Sequence, residues 1–242
     1  MPATPENLYK AHVKNLRAVD TALERMLREL NASLSRCDET TSDALLKTTM
    51  LLLGAWAEDR LRKMLFEPNG FTPAERQQIT SAGSQIEIWK AALERGFRKR
   101  YQIPLADLSQ TLPLTPRARY AALLSVIEDD LRPIIEVRNK LAHGQWIRPL
   151  NSENDDYSPV HTQQINGENA HSVKCKHRLL EYLSQIIHDL AVGGQAFERD
   201  FDGHYSKLEH AKRETTSRSY QKWLAAMRAK YQRGRARRTG QA

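Results

Sequence analysis

The chain has 242 residues, 40% of them apolar, and carries a formal net charge of +8 from 37 basic and 29 acidic side chains. A chain of this size buries a sizeable core as one domain, or as one domain plus an extension. No apolar run reaches the eighteen residues of a membrane-crossing helix, and the polar start Met1-Pro2-Ala3-Thr4-Pro5-Glu6 lacks a secretion pattern, so a soluble cytoplasmic protein is expected.

Helical signals dominate in chain order. Thr4-Pro5 is an N-cap and first-turn pair, and Leu8, Val13, Leu16, Val19, Leu23, Leu27, Leu30 and Leu34 mark one long amphipathic helix to about residue 36. Residues 38–42 read as a loop. A second, strongly apolar helix is predicted over about 43–66 and ends at Pro68-Asn69-Gly70. Thr72-Pro73-Ala74-Glu75 is a capping box, Gly83-Ser84 interrupts the helix it opens, and Ser84 with Glu87 can recap it as far as Arg98-Lys99-Arg100. Residues 102–115 read as a surface loop.

Thr115-Pro116 opens the central helix, with Tyr120, Leu123, Leu124, Ile127 and Leu131 facing inward. Pro133 lies within it and removes a backbone donor, so a kink or restart is expected there. Residues 147–172 are polar and irregular, with a weak signal for a hairpin at Asn166-Gly167. A helix follows over about 173–192, broken by Gly193-Gly194, and a last one over about 205–232, with an unstructured tail beyond Gly234. The fold class is therefore all-α. Residues 1–202 form a helical-bundle domain and residues 203–242 a basic extension.

The charge is divided unevenly. Residues 207–242 hold 11 Lys or Arg against Glu209 and Glu214, a net of +9, and the other 206 residues hold 26 basic and 27 acidic side chains. The whole positive excess sits in the tail, which points to a polyanion such as nucleic acid. Lys222, Arg228, Lys230, Arg233, Arg235, Arg237 and Arg238 are the candidate RNA contacts, interleaved with Tyr220, Trp223 and Tyr231 as stacking plus phosphate neutralisation require. The same aromatics would equally serve to dock the helix. Cys37 and Cys175 show no metal-type spacing, and no His, Cys or Asp cluster in the sequence has ligand spacing, so neither metal nor cofactor is expected.

Candidate chemistry concentrates at Arg138-Asn139-Lys140-Leu141-Ala142-His143-Gly144. Ile134, Val137 and Leu141 mark a buried face, and Gly144 closes the helix, which puts His143 in its last turn. Asn139 and His143 share a face; Arg138 and His143 diverge by roughly 140° on an ideal helix. On spacing alone, these residues also fit a capped helix end with Arg138 paired to a carboxylate. The second candidate is Glu58, a carboxylate on the largely apolar face of Leu51, Gly54, Ala55, Leu61 and Leu65, with Asp59 as the alternative acid. Its partner is Arg138, or Arg62 one turn on.

Arg138, Asn139 and His143 in an all-helical chain resemble the signature of the HEPN superfamily, an Arg and a His four to six residues apart with a polar residue after the Arg. The resemblance spans about residues 5–200, and Glu58 resembles the acidic residue that many members carry on an early helix facing the motif. It implies a HEPN-like helical bundle, a homodimer with a composite active site, and metal-independent endoribonuclease activity through 2′-hydroxyl attack. The products would be 2′,3′-cyclic phosphate and 5′-hydroxyl ends. It also implies a toxin or antiviral-defence setting with an antitoxin or regulatory partner. Arg138 would hold the phosphate, His143 would move the proton, and Asn139 and Glu58 would support them. Toxins of the family that are silenced by nucleotide transfer have a Tyr two residues after the His. Gln145 stands there, so that mode of silencing is not implied.

Overall fold

The computed structural model describes residues 3–217 and 219–238, the side chains of residues 194 and 238 excepted. The chain is all-α: among the described residues there is no strand, only one isolated antiparallel bridge between Leu150 and Tyr157. No described helix is long and apolar enough to cross a membrane.

α1 (Pro5–Ser35) begins where Thr4 Oγ1 accepts the Asn7 N–H at 3.2 Å. It pairs with α2 (Glu39–Leu65) across a turn in which Asp38 caps α2, accepting from Thr41 N. That cap starts α2 four residues before the predicted position, and inside the turn the Ser33 and Ser42 hydroxyls meet at 2.8 Å. α3 (Pro73–Thr80) carries the expected capping box of Thr72 and Glu75, and α4 (Gln85–Tyr101) is capped by Ser84, which accepts from Glu87 N. The stretch read as a loop contains a short helix, α5 (Leu108–Thr111), which turns Leu108 and Leu112 into the core.

α6 (Leu114–Val126) runs into a single π turn, Ile127–Leu131, before α7 (Arg132–Ala142). The Arg132 N–H reaches back five residues to Ile127 O, and Pro133 falls in the first turn of α7, where a missing N–H is harmless. The expected break at Pro133 is thus a change of helical register. No hairpin forms at Asn166-Gly167. Pro159 instead opens α8 (Pro159–Gly167), which ends at those residues and buries Ile165. α9 (Ala170–Val192) starts three residues before the predicted position, because Asn169 accepts the His171 and Ser172 N–H groups and Ser172 Oγ returns the bond.

The predicted last helix is two. α10 (Gly194–Ser217) lies along α9 and buries Phe197, Phe201, Leu208 and Ala211, so residue 203, the expected start of the extension, sits inside a packed helix. α11 (Tyr220–Arg238) remains helical past Gly234, in place of the unstructured tail expected there. It is held against the C-terminal end of α1 by Arg228 Nε, which donates to Leu34 O at 3.0 Å, and by Arg235 Nη2, which donates to Ser35 Oγ at 2.7 Å. The negative end of a helix attracts cations in this way.

One core runs through the bundle, from Leu53, Ala57, Leu61 and Met64 of α2 to Trp89, Leu93 and Phe97 of α4, Ile127 and Leu131 of the π turn, and Leu183 and Ile187 of α9. At its edge, the Trp56 ring meets His177 edge-on at 4.9 Å while Trp56 Nε1 donates to Asp20 Oδ1 at 3.1 Å. Burial pulls the His177 imidazole below its ordinary value of 6.5, opposed only by Asp20. Folding therefore favours the neutral ring, and the unfolded chain binds the proton more readily. His177 imposes no penalty above 6.5 and destabilises the fold progressively as pH falls below it. The denaturant midpoint should drop between about pH 7.5 and pH 5.5, and His177→Gln should flatten that slope.

Candidate active site

α2 and α7 bring Glu58, Arg138 and Asn139 together. The helices pack closely because α2 has no side chain at Gly54, where a Cβ would overlap Cβ and Cγ of Arg138. One turn further along α2, Glu58 Oε2 accepts from Arg138 Nη2, and its Oε1 accepts from Arg62 Nη2. Both partners weighed for Glu58 are thus engaged at once, one on each oxygen. Arg138 Nη2 also donates to Gln85 Oε1, and Nη1 to Asn139 Oδ1, each at 2.9 Å. Its Nε, with Gln85 Nε2, is buried without a hydrogen-bond partner among the described residues.

These side chains line a groove of about 700 Å³ between α2, the start of α4, and α7. Arg62, Arg132 and Arg138 bring three positive charges to it, against Glu58 and Glu136. The N-terminus of α4 opens on the same space through Gly83, Ser84 and Gln85, and a helix N-terminus adds partial positive charge. Each Arg already meets a carboxylate, Arg62 and Arg138 that of Glu58 and Arg132 that of Glu128, so an anion such as a phosphodiester would compete with these for the three cations. Asp59 does not line this groove, and burial pushes its carboxyl above the usual range.

His143 is placed differently. It is the exposed C-cap of α7, does not line the groove, and its imidazole has no hydrogen-bond or ion-pair partner among the described residues. Gly144 takes φ = 75°, its N–H bonds to Leu141 O and that of Gln145 to Lys140 O, which completes a double-bonded helix stop. The segment beyond is tied back as well. Trp146 Nε1 donates to Leu141 O, Lys140 Nζ to Leu150 O, and Leu150 N to Gln145 Oε1. Within one chain, then, the guanidinium and the imidazole of the motif face different spaces, as their angular separation requires.

The candidate RNA contacts divide by face. Lys222, Lys230, Arg233 and Arg237 are exposed, while Arg228 and Arg235 are spent on α1. The Arg238 side chain lies outside the described residues. Trp223 stacks on His171 with centroids 5.4 Å apart and on Tyr220 at 5.8 Å, and Leu224 is buried. Trp223 therefore docks the helix, and the exposed face of α11 offers charge without an aromatic platform from these residues.

Gln85 and Arg132 were not singled out from the sequence; Arg62 was read only as a partner of Glu58, and Gly83-Ser84 only as a helix break. Gly54 was visible one turn before Glu58, and a glycine inside a long apolar helix is a sign of close approach. In comparison with known proteins, no family model, no curated protein and no solved structure matches this chain.

The close approach at Gly54 is expected to position Arg138 more strongly than its charge pair does. Gly54→Ala should cost about 1–3 kcal/mol by overpacking. Glu58→Ala should cost no more than about 1 kcal/mol, since both side chains remain partly open to water. Denaturant unfolding of the two variants tests the order; the reverse order would assign the positioning to charge.

Proposed function

We propose that this protein is a metal-independent endoribonuclease of the HEPN type, acting as a homodimer in a toxin or antiviral-defence setting. The observation that carries the reading is the pair of complementary half-sites on α7. Arg138, seated by Glu58 and Gln85, faces a groove with anion-binding character, and His143 stands exposed at the helix end without a partner among the described residues. Two copies of α7 would supply what one lacks, bringing the imidazole of one protomer to the guanidinium of the other. Exposed Ile147, Tyr157 and Val160 in and beyond the segment that follows the motif provide apolar surface for such a contact.

The chemistry needs no metal, because RNA carries its own nucleophile. One His143 removes the 2′-hydroxyl proton, Arg138 and Asn139 hold the phosphate as charge builds on it, and the second His143 protonates the departing 5′-oxygen. Lys222, Lys230, Arg233 and Arg237 would retain the substrate by neutralising phosphates.

A second reading, a non-catalytic RNA-binding or scaffold protein, draws on a specific observation. The two terminal nitrogens of Arg138 already donate to Glu58, Gln85 and Asn139, as in a purely structural ion pair. RNA cleavage in EDTA separates the readings. The intact protein should release cyclic-phosphate ends, and His143→Ala and Arg138→Ala should each slow cleavage by about 10²–10⁴-fold while remaining folded. RNA retention without cleavage would support the second reading. Replacing Lys222, Lys230, Arg233 and Arg237 together with Ala should weaken binding and flatten its salt dependence under either.

A further inference from the structure

The sharp break at Gly193 turns α10 back along α9 and brings together three side chains from the two helices. Asp189 lies in the last turn of α9, and Asp200 and His204 lie one turn apart on the facing side of α10. One ligand atom of each lies within 4.8 Å of the others. We propose that Asp189, Asp200 and His204 bind a divalent transition-metal cation, Zn²⁺ by preference, that clips α10 to α9. This site shares no residue with the groove of Arg138 and does not depend on the ribonuclease reading.

Three features of the side chains lead to this assignment. The Asp189 side chain is only 10% exposed, yet no Lys or Arg among the described residues forms an ion pair with it. Its neighbours are Gln185 Nε2, donating at 2.8 Å, His188 Nδ1 at 3.3 Å and His204 Nε2 at 3.7 Å. A carboxylate this buried calls for a compensating positive charge, and none of these partners carries a permanent one. His204 is the second feature. Its Nε2 stands 3.7 Å from Asp189 Oδ2, too far for a hydrogen bond, and neither ring nitrogen makes one among the described residues, so the nitrogen that faces the carboxylates is free to ligate.

The third is Asp200. Both of its oxygens accept from Arg199, Nε to Oδ1 at 2.8 Å and Nη2 to Oδ2 at 2.6 Å, but the Arg199 side chain is 74% exposed. Such a surface pair is weak, and a cation seated between two carboxylates displaces it readily. One imidazole nitrogen with two carboxylate oxygens suits Zn²⁺ or a similar transition metal. Ca²⁺ and Mg²⁺ favour sets made of oxygen alone. Three protein ligands leave a fourth tetrahedral position for water.

The arrangement predicts opposite effects for two neighbouring side chains. Full-length protein stripped with EDTA and dialysed should bind one equivalent of Zn²⁺ by calorimetry and melt at a higher temperature with Zn²⁺ present. Mg²⁺ at the same concentration should leave the melting temperature unchanged. His204→Ala and Asp200→Asn should each weaken binding by more than about tenfold, a loss that even an outer partner of a metal site can produce. Arg199→Ala should tighten binding, because it removes the competitor for Asp200. The metal-free melting temperature of each variant, compared with that of the stripped intact protein, separates lost ligation from lost folding. The proposal is overturned if the intact protein binds no Zn²⁺, if folded His204→Ala binds it equally well, or if Arg199→Ala binds it more weakly.

Discussion

The candidate active site depends on how closely α7 can approach α2. The missing side chain at Gly54 lets the stem of Arg138 lie against the α2 backbone, and Glu58, one turn away, then meets the guanidinium without further adjustment. Steric contact sets the distance and the charge pair sets the direction. Gln85 completes the seat from a third helix, so three elements far apart in the chain converge on one side chain. A guanidinium held on three sides has little freedom left to lose, which is the physical meaning of a preorganised group.

Much of this was legible in the residues because helix boundaries are written locally. Thr4-Pro5, Thr72 with Glu75, Ser84 with Glu87, and Gly144 each act within one turn, and each ends or starts a helix at the expected place. Glu58 was legible for a related reason, as a carboxylate on an apolar face that must find a cation. What escaped depends on distant packing. Gln85 carries no local mark of its role, and α5 forms from a segment whose two prolines suggest a loop until Asp107 caps it and Leu108 and Leu112 find the core.

The boundary drawn from charge illustrates the same limit. Basic residues concentrate after position 206, yet α10 belongs to the bundle through Phe197, Phe201, Leu208 and Ala211. Composition reports what faces water and says little about where packing stops. In α11, Trp223 and Arg228 fasten one side of the helix to the bundle while Lys222, Lys230, Arg233 and Arg237 stay exposed. A tail fixed in this way presents its charges at set positions on a surface, whereas a flexible one would spread them through a volume.

The π turn at Ile127–Leu131 makes the orientation of the motif a matter of residue counting. One extra residue in the turn sets everything beyond it back by about 100° around the helix axis relative to an unbroken α-helix. Arg138 faces Glu58 with that residue in place. The same residues wound as an unbroken α-helix would put Val137 in that place instead. Straightness of the α6–α7 rod and alignment of the motif are therefore mutually exclusive in this protein, and the fold has settled on alignment.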